Sequence, residues 1–434
     1  MRSPTGNTIA GIAVLILLIS PAAAGSDATT PSPARPIPAE TGTITLDELV
    51  REAMAKNPAI QSRLRGVAAR RRRVPQAKSL PDLVVSGGWM GNAAPFSVQE
   101  GDPSSYRIVR VMQEIPYPGK LKLRGEIADR EAEAEWWEYE AVRREVVSEV
   151  KAAYYEYFYL TKAIEITNKN KDLLQTLANI AEARYQVGKG IQQDVLRAQV
   201  GISTLLQRLT VLDQQKRTAQ VRLNTLLFQD PEAELAAPAK YSEAKLAYGL
   251  EDLYHLAREN DTGLQREQRI IERNQYATNL ARKDYYPDLE VGYMYQQRPL
   301  MADMNGFTFS LNIPISYKTK QREAVREAAE ELKAAEYSRD NRQTELLFRV
   351  KQQYLAAKSS EELAELFAEA VVPQSSLALE SSMSSYQVGT VDFLTMLTNF
   401  VTVLDYEVGY YREMANYHIS LARLEPLVGV ELTQ

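Results

Sequence analysis

Apolar positions recur along this chain in two rhythms. Four long stretches carry few breakers and read as helices: Leu46 to Ala77, Lys120 to Val187, Leu250 to Tyr285 and Lys318 to Val388. Pro373 falls inside the last of these and should bend it. Two more helices are expected from Gln192 to Phe228 and from Asp392 to Leu427. Gly188 and Gly389 stand where helices stop, in positions suited to a left-handed C-cap. Elsewhere the period drops to two. Leu289, Val291, Tyr293 and Tyr295 alternate with Glu290, Gly292, Met294 and Gln296, while Phe307, Phe309, Leu311 and Ile313 alternate with Thr308, Ser310 and Asn312. A weaker alternation sets Leu83, Val85 and Trp89 against Val84, Ser86 and Met90, and Val109 and Val111 against Arg110 and Met112. These segments read as two pairs of strands.

The two halves of the chain repeat each other. Tyr185-Gln186-Val187-Gly188 recurs as Tyr386-Gln387-Val388-Gly389, an offset of 201. Val150-Lys151 and Tyr154 recur as Val350-Lys351 and Tyr354 at 200, Pro81-Asp82-Leu83 as Pro287-Asp288-Leu289 at 206, and Ile115-Pro116 as Ile313-Pro314 at 198. Leu223 likewise maps to Leu424, and Leu46 to Leu250. So long a period excludes a solenoid and indicates one duplicated unit with few insertions.

Lengths add an argument. Lys120 to Val187 is 68 residues, about 100 Å of helix at a rise of about 1.5 Å per residue. The shorter helices are roughly half that, so two stacked end to end would match one long antiparallel neighbour. Such rods need lateral partners. The breaker-rich stretch Asp230 to Tyr248, with Pro231, Pro238 and the adjacent Gly249, joins two short helices near mid-length. Alternating strands occur in soluble sheets and in membrane barrels alike. Four strands cannot close a barrel, and a sheet in lipid must close. Three chains would supply twelve, and the same oligomer would give the long helices their partners. Trp89, Tyr106, Tyr286 and Tyr317, at strand ends, suit a membrane interface.

Composition narrows the setting. Residues 1–24 read as a secretory signal: Arg2, an apolar core from Ile9 to Ile19, and Ala22-Ala23-Ala24 before Gly25. That core is too short to span a membrane. Cleavage would remove only Arg2 among charged residues and take the net charge from −5 to −6. Cysteine is absent, which excludes disulfides and thiolate metal sites. From residue 25 to about residue 43 the chain is rich in Pro, Thr and Ala and reads as extended.

On these residues the chain resembles the TolC family of outer-membrane efflux ducts. The resemblance rests on the Tyr-x-x-Gly tips followed by Asp194-Val195-Leu196-Arg197-Ala198-Gln199, the paired strands and the duplication. The stretch Gln113-Glu114-Ile115-Pro116-Tyr117-Pro118-Gly119-Lys120-Leu121, with Asn57-Pro58, is similar to the branch serving cobalt-zinc-cadmium and copper-silver efflux pumps. The implied fold is mainly α with a membrane β-barrel. It would be a homotrimer with four strands per chain in a shared 12-stranded barrel, on a long periplasmic α-helical coiled-coil tunnel. The implied division is 1–24 signal, 25–228 first efflux repeat, 229–249 equatorial linker and 250–434 second repeat. The implied location is the bacterial outer membrane, extending into the periplasm. The implied partners are a periplasmic adaptor (membrane fusion protein), an inner-membrane RND-type transporter and outer-membrane lipid. The adaptor would dock at Val187, Gly188, Lys189, Val388, Gly389 and Thr390. Asp194, Asp392 and Thr395 are the aperture or lumen candidates, although the acid six residues beyond the first tip glycine is replaced by Thr395 in the second repeat. Phe307, Phe309, Leu311 and Ile313 are expected to face lipid.

Chemistry is otherwise sparse. No catalytic constellation, cofactor motif or metal site stands out. His255 and His418 are isolated, and Met383, Met396 and Met414 read as packing residues. Glu131, Glu133 and Glu135 read as a solvated face with i,i+4 ion pairs, or else as a tunnel lining that favours cations. The run Arg70 to Arg73 reads as solvated, as paired with a neighbouring helix, or as a contact for lipid headgroups. Tyr154, Tyr155, Phe158 and Tyr159 are expected to fill packing between subunits. An exported acidic chain disfavours nucleic acid. The expected function is a passive duct, for heavy-metal efflux or for drug efflux or type I secretion on the same fold. The reading from another class is a structural periplasmic coiled-coil protein.

Overall fold

The computed structural model describes residues 42–92, 97–239 and 245–432. The expected signal and nearly all of the Pro-rich segment after it lie outside the described residues. Helices α1 (Leu46–Lys56) and α2 (Pro58–Lys78) lead into strands β1 (Val84–Met90) and β2 (Tyr106–Ile115). Helix α3 (Lys120–Gln186) is the long rod, and α4 (Gln192–Leu226) returns beside it. The pattern then repeats as α5 (Leu250–Asn260), α6 (Thr262–Lys283), β3 (Asp288–Gln297), β4 (Met304–Asn312), α7 (Gln321–Leu366), α8 (Val372–Val388) and α9 (Phe393–Val428).

Three expected helices are interrupted. The helix from Leu46 is two helices, broken at Asn57. Asn57 takes extended angles because the following Pro58 excludes the α region. Its side chain then caps α2 by accepting the Ala59 N–H at 2.9 Å, and its amide donates to the Leu226 carbonyl at 2.9 Å. The helix from Leu250 breaks in the same way at Asp261, which has nearly the same angles and caps α6 through the Leu264 N–H at 2.8 Å. Between α7 and α8 one π turn, Phe367–Val371, precedes Pro373. Proline cannot donate to the carbonyl four residues back, and the wider turn accommodates that missing bond.

Each repeat carries the same small core. Leu49, Ala53, Val150 and Leu223 are buried together in the first, and Leu253, Ala257, Val350 and Leu424 in the second. Even the last caps correspond: Gly429 and Phe228, 201 residues apart, both take positive φ.

The repeats meet along α3. This helix packs on α1, α2 and α4 of its own repeat and on α6 and α9 of the other. The seam is polar at both ends and aromatic in the middle. Glu131 pairs with Arg273 at 3.4 Å and Glu133 with Arg269 at 3.2 Å, so these carboxylates are bound across helices, and Glu133 is also paired along α3 with Arg130. Arg70 approaches Glu131 at 3.9 Å, and the Arg71 guanidinium lies over Trp136. Tyr154, Tyr155 and Phe158 are buried within the chain, contrary to the expected packing between subunits. Tyr155 stacks on His418 of α9 at 4.8 Å, and burial pushes that imidazole down to about 4, leaving it neutral at neutral pH. The Tyr154 hydroxyl donates to the Ala239 carbonyl at 2.9 Å and fixes the linker against the middle of α3; burial pushes its pKa up to about 12.

The four strands form one antiparallel sheet in the order β1-β2-β3-β4. Strands β2 and β3 join the repeats, with Ile115 opposite Leu289.

Lys151 and Glu425 form a buried ion pair across the seam at 2.7 Å, and Glu425 also accepts the Leu432 N–H at 2.8 Å. Lys151→Met should cost about 3–5 kcal/mol, because it strands a buried carboxylate. Adding Glu425→Gln should recover most of that loss, since the amide oxygen can still accept from Leu432. Thermal unfolding measures both; equal loss in the single and double variants would show that the pair itself is not responsible.

Candidate functional site: the helix tips and the strand sheet

At the first tip, α3 ends in a paired cap. The Lys189 N–H bonds the Arg184 carbonyl at 2.9 Å, and the Gly188 N–H bonds the Tyr185 carbonyl at 3.0 Å. Gly188 has φ +74, and an added Cβ would meet nothing within 4 Å. The second tip repeats the geometry through Thr390 to Ser385 and Gly389 to Tyr386, both at 3.0 Å, with φ +86 at Gly389. Val187 and Val388 stand exposed beside the glycines. The first loop therefore presents a bare backbone at its glycine, whereas Gly389 of the second lies against the Arg184 guanidinium.

Arg184 ties the two tips together. Its guanidinium donates to the carbonyls of Tyr386, of Gln387 at 3.0 Å and of Lys189 at 3.3 Å, and lies 4.8 Å from the Tyr386 ring. Sequence reasoning passed over it. The signal was available, because at the tip offset of 201 its counterpart is Ser385, a difference just before an identical tetrapeptide.

Asp194, Asp392 and Thr395 come together near these tips. Asp392 is the N-cap of α9 and accepts the Thr395 N–H at 2.8 Å and its hydroxyl at 3.2 Å. The Thr395 backbone bond holds the Asp392 carboxyl below its usual range. Asp194 is raised, first by burial and then by the Asp392 charge, against the opposing pull of Arg197 and Arg184. The ends of α4 and α9 thus bring two carboxylates of unequal acidity close to two arginines. Just above, α4 and α9 enclose an open apolar groove lined by Leu196, Val200, Leu394, Leu397, Phe400 and Val401.

At the other end, register divides the sheet into two faces. Val85, Val111, Tyr293 and Phe307 lie on one side with Val109, Val291, Phe309 and Leu311. Ser86, Arg110, Met294, Thr308 and Ser310 lie on the other. Phe307 and Phe309 are 74% and 72% exposed, and Leu311 and Ile313 are also exposed. Among the described residues β1 and β4 each leave one edge unpaired. An aromatic and aliphatic face open to solvent, on a sheet with two free edges, is unstable in water.

The profile of the outer membrane efflux protein family matches residues 49–227 and 253–430. The chain belongs to this family of outer-membrane efflux channels. The two matched segments coincide with the two structural repeats. The fold is that of TolC-family channels. A membrane protein from Pseudomonas aeruginosa superposes with a TM-score of 0.79 at 17% identity, over 89% of this chain and 91% of that one. The outer-membrane channel OprN gives 0.77 at 16% identity, over 90% and 91%. CusC, whose structures concern folding and transmembrane channel formation, gives 0.77 at 14% identity, over 88% and 91%. No curated protein sequence matches this chain.

Arg184→Ala should loosen both tips together. Losing its charged hydrogen bonds should cost about 1–3 kcal/mol locally. Hydrogen exchange should rise in 184–195 and in 385–395 while the middle of α3 stays protected. A rise confined to the first tip would show that Arg184 does not couple them.

Proposed function

We propose that three copies of this chain assemble into a duct with a shared 12-stranded barrel in the outer membrane and a helical tunnel reaching into the periplasm. Its substrates would be heavy-metal cations, delivered by an RND-type inner-membrane transporter through a periplasmic adaptor. The observation that carries the duct is the four-stranded sheet, apolar on one face, polar on the other and open at both edges. In lipid its backbone groups are satisfied only if the edges close, and one chain supplies too few strands to close them. The polar face, with Arg110, Thr308 and Ser310, would line the lumen, and Phe307, Phe309, Leu311 and Ile313 would face lipid. The duct would be passive, with export driven by the inner-membrane transporter.

The flanks of the long helices support the same assembly. Tyr155 on α3 is 1% exposed against α9, whereas Leu355, its counterpart on α7, is 53% exposed. Tyr337, Phe348 and Leu366 continue that exposed stripe. Spacings of 11, 7 and 11 residues keep all four on one side of a helix. A neighbouring copy would cover it. The adaptor is assigned to the tips because they lie about 100 Å from the sheet at about 1.5 Å per residue, where only a partner can continue the conduit. The bare backbone at Gly188 would allow close approach, and the apolar groove above the tips would give a helical partner something to bury. Metal cargo is supported by the similarity of the segment from Gln113 to Leu121, with Asn57-Pro58, to the metal-efflux branch. Among the described residues no cluster of His, Asp or Glu is arranged to hold a metal ion, so cations would pass without a resting site.

Native mass spectrometry in detergent should give a trimer. Leu311→Arg should cost about 2–4 kcal/mol if it lies near the bilayer midplane, and Ser310→Arg much less. Equal tolerance at the two positions would remove the barrel assignment.

Gly389→Val should abolish export while trimer yield in the outer membrane survives. A β-branched residue at φ +86 strains the cap, and its Cβ would sit 3.3 Å from the Arg184 guanidinium. The readout is sensitivity of cells to cobalt, zinc, cadmium, copper and silver salts. Unchanged resistance would clear this tip of docking. Sensitivity to organic drugs alone in cells lacking the channel would replace metal cargo with drug cargo.

A further inference from the structure

The duplication determines a contact that a single chain cannot make. Under the offsets 206 for β1 to β3 and 198 for β2 to β4, the first hairpin becomes the second: the partners Val85 and Val111 map to Val291 and Phe309, which are partners in their turn. The same numbers can be applied to the pair that joins the repeats, where Ile115 lies opposite Leu289 and Val111 opposite Tyr293. They carry that pairing onto β4 of one copy and β1 of another. Ile313 then meets Leu83, Leu311 meets Val85, Phe309 meets Gly87 and Phe307 meets Trp89.

Side-chain direction supports this register independently. From Leu311 to Phe307, every β4 residue named and its β1 partner lie on the apolar face of their own sheet. A slip of one residue would set Phe309 and Leu311 beside residues of the polar face. Gly87, with no side chain, leaves room for the Phe309 ring to lie across the seam.

The junction beneath the strands transforms in the same way. Inside the chain, Tyr117 stacks on Tyr286 at 4.5 Å, and buried Lys120 bonds Asp288 at 2.9 Å and Asp284 at 3.2 Å. Asp288 also accepts the Tyr117 N–H at 2.6 Å. This clasp accounts for the segment Tyr117-Pro118-Gly119-Lys120. Under the strand offsets Asp284 maps to Lys78, so its carboxylate has no counterpart, while the other four counterparts are Ile315 for Tyr117, Leu80 for Tyr286, Lys318 for Lys120 and Asp82 for Asp288. All four are exposed in one chain, Ile315 at 86% and Leu80 at 51%.

We propose that β4 of one copy pairs with β1 of the next in this register, and that an apolar and ionic clasp closes beneath it. Lys318 bonds Asp82 of the neighbouring copy, and Ile315 packs on Leu80 of the neighbouring copy. The contact is head-to-tail and repeats around a closed ring. It rests on the trimeric reading above and adds to it the partner strand, the register and the residues.

The chain has no cysteine, so paired cysteines report the register directly. Leu311→Cys with Val85→Cys in one chain should give covalent dimers and trimers on a non-reducing gel, because direct cross-strand neighbours fall within disulfide reach. Within one chain the two positions are three strand spacings apart, about 14 Å, too far to bond. Leu311→Cys with Trp89→Cys, four residues out of register, should stay uncrosslinked. If the cysteine variants fold poorly, charge exchange gives a second measurement. Asp82→Lys and Lys318→Asp should each lose the trimer band, and the double exchange should restore it. A trimer by native mass spectrometry that crosslinks in the control pair, or that shows no charge rescue, overturns the register and leaves the duct intact. A chain that is monomeric by mass spectrometry overturns both.

Discussion

Coverage of the long helices is the constraint on which the rest of the structure depends. A helix of 67 residues cannot bury its apolar positions against itself. Helix α3 resolves this by lying between two sets of short helices, its own and those of the second repeat. The seam that results holds the Lys151–Glu425 pair, the Tyr155–His418 stack and the Arg184 tie. Helix α7 is the same device with only one flank covered. Duplication inside one chain therefore covers both flanks of α3 and only one flank of α7.

The sheet states the same asymmetry in hydrogen bonds. Strands β2 and β3 pair across the repeat boundary, whereas β1 and β4 end in free edges. The hydrophobic face would be a liability in water and is an asset in lipid, where unpaired backbone is the greater cost. In the proposed trimer one operation, carrying each repeat to the next, would cover the helix flanks and close the strand edges together.

The tips work under a different requirement. Each ends a long helix in a glycine cap with positive φ. The second tip gives its acid to helix capping, since Asp392 is engaged by Thr395. The first keeps Asp194 partly desolvated between Arg197, Arg184 and Asp392. Two repeats with one ancestry thus have electrostatically different ends.

Much of this architecture was legible in the sequence because duplication and periodicity are local signals that can be checked against each other. The Tyr-x-x-Gly tips, the alternating strands and the length of α3 required no knowledge of what touches what. The break at Asn57 was also written there, since a residue before proline avoids the α region, but a few breakers inside a long apolar pattern were outweighed by the pattern. What tertiary structure alone decided was the choice of partners. Periodicity shows that Tyr155 and Glu131 lie on particular faces of α3. It does not show that His418 and Arg273, more than a hundred residues away, complete those faces. Arg184 and Lys120 are ordinary basic residues until the fold brings carbonyls and carboxylates to them. A helix can meet any of several neighbours at nearly equal hydrophobic gain, and the selection comes from long-range geometry that no window of sequence contains.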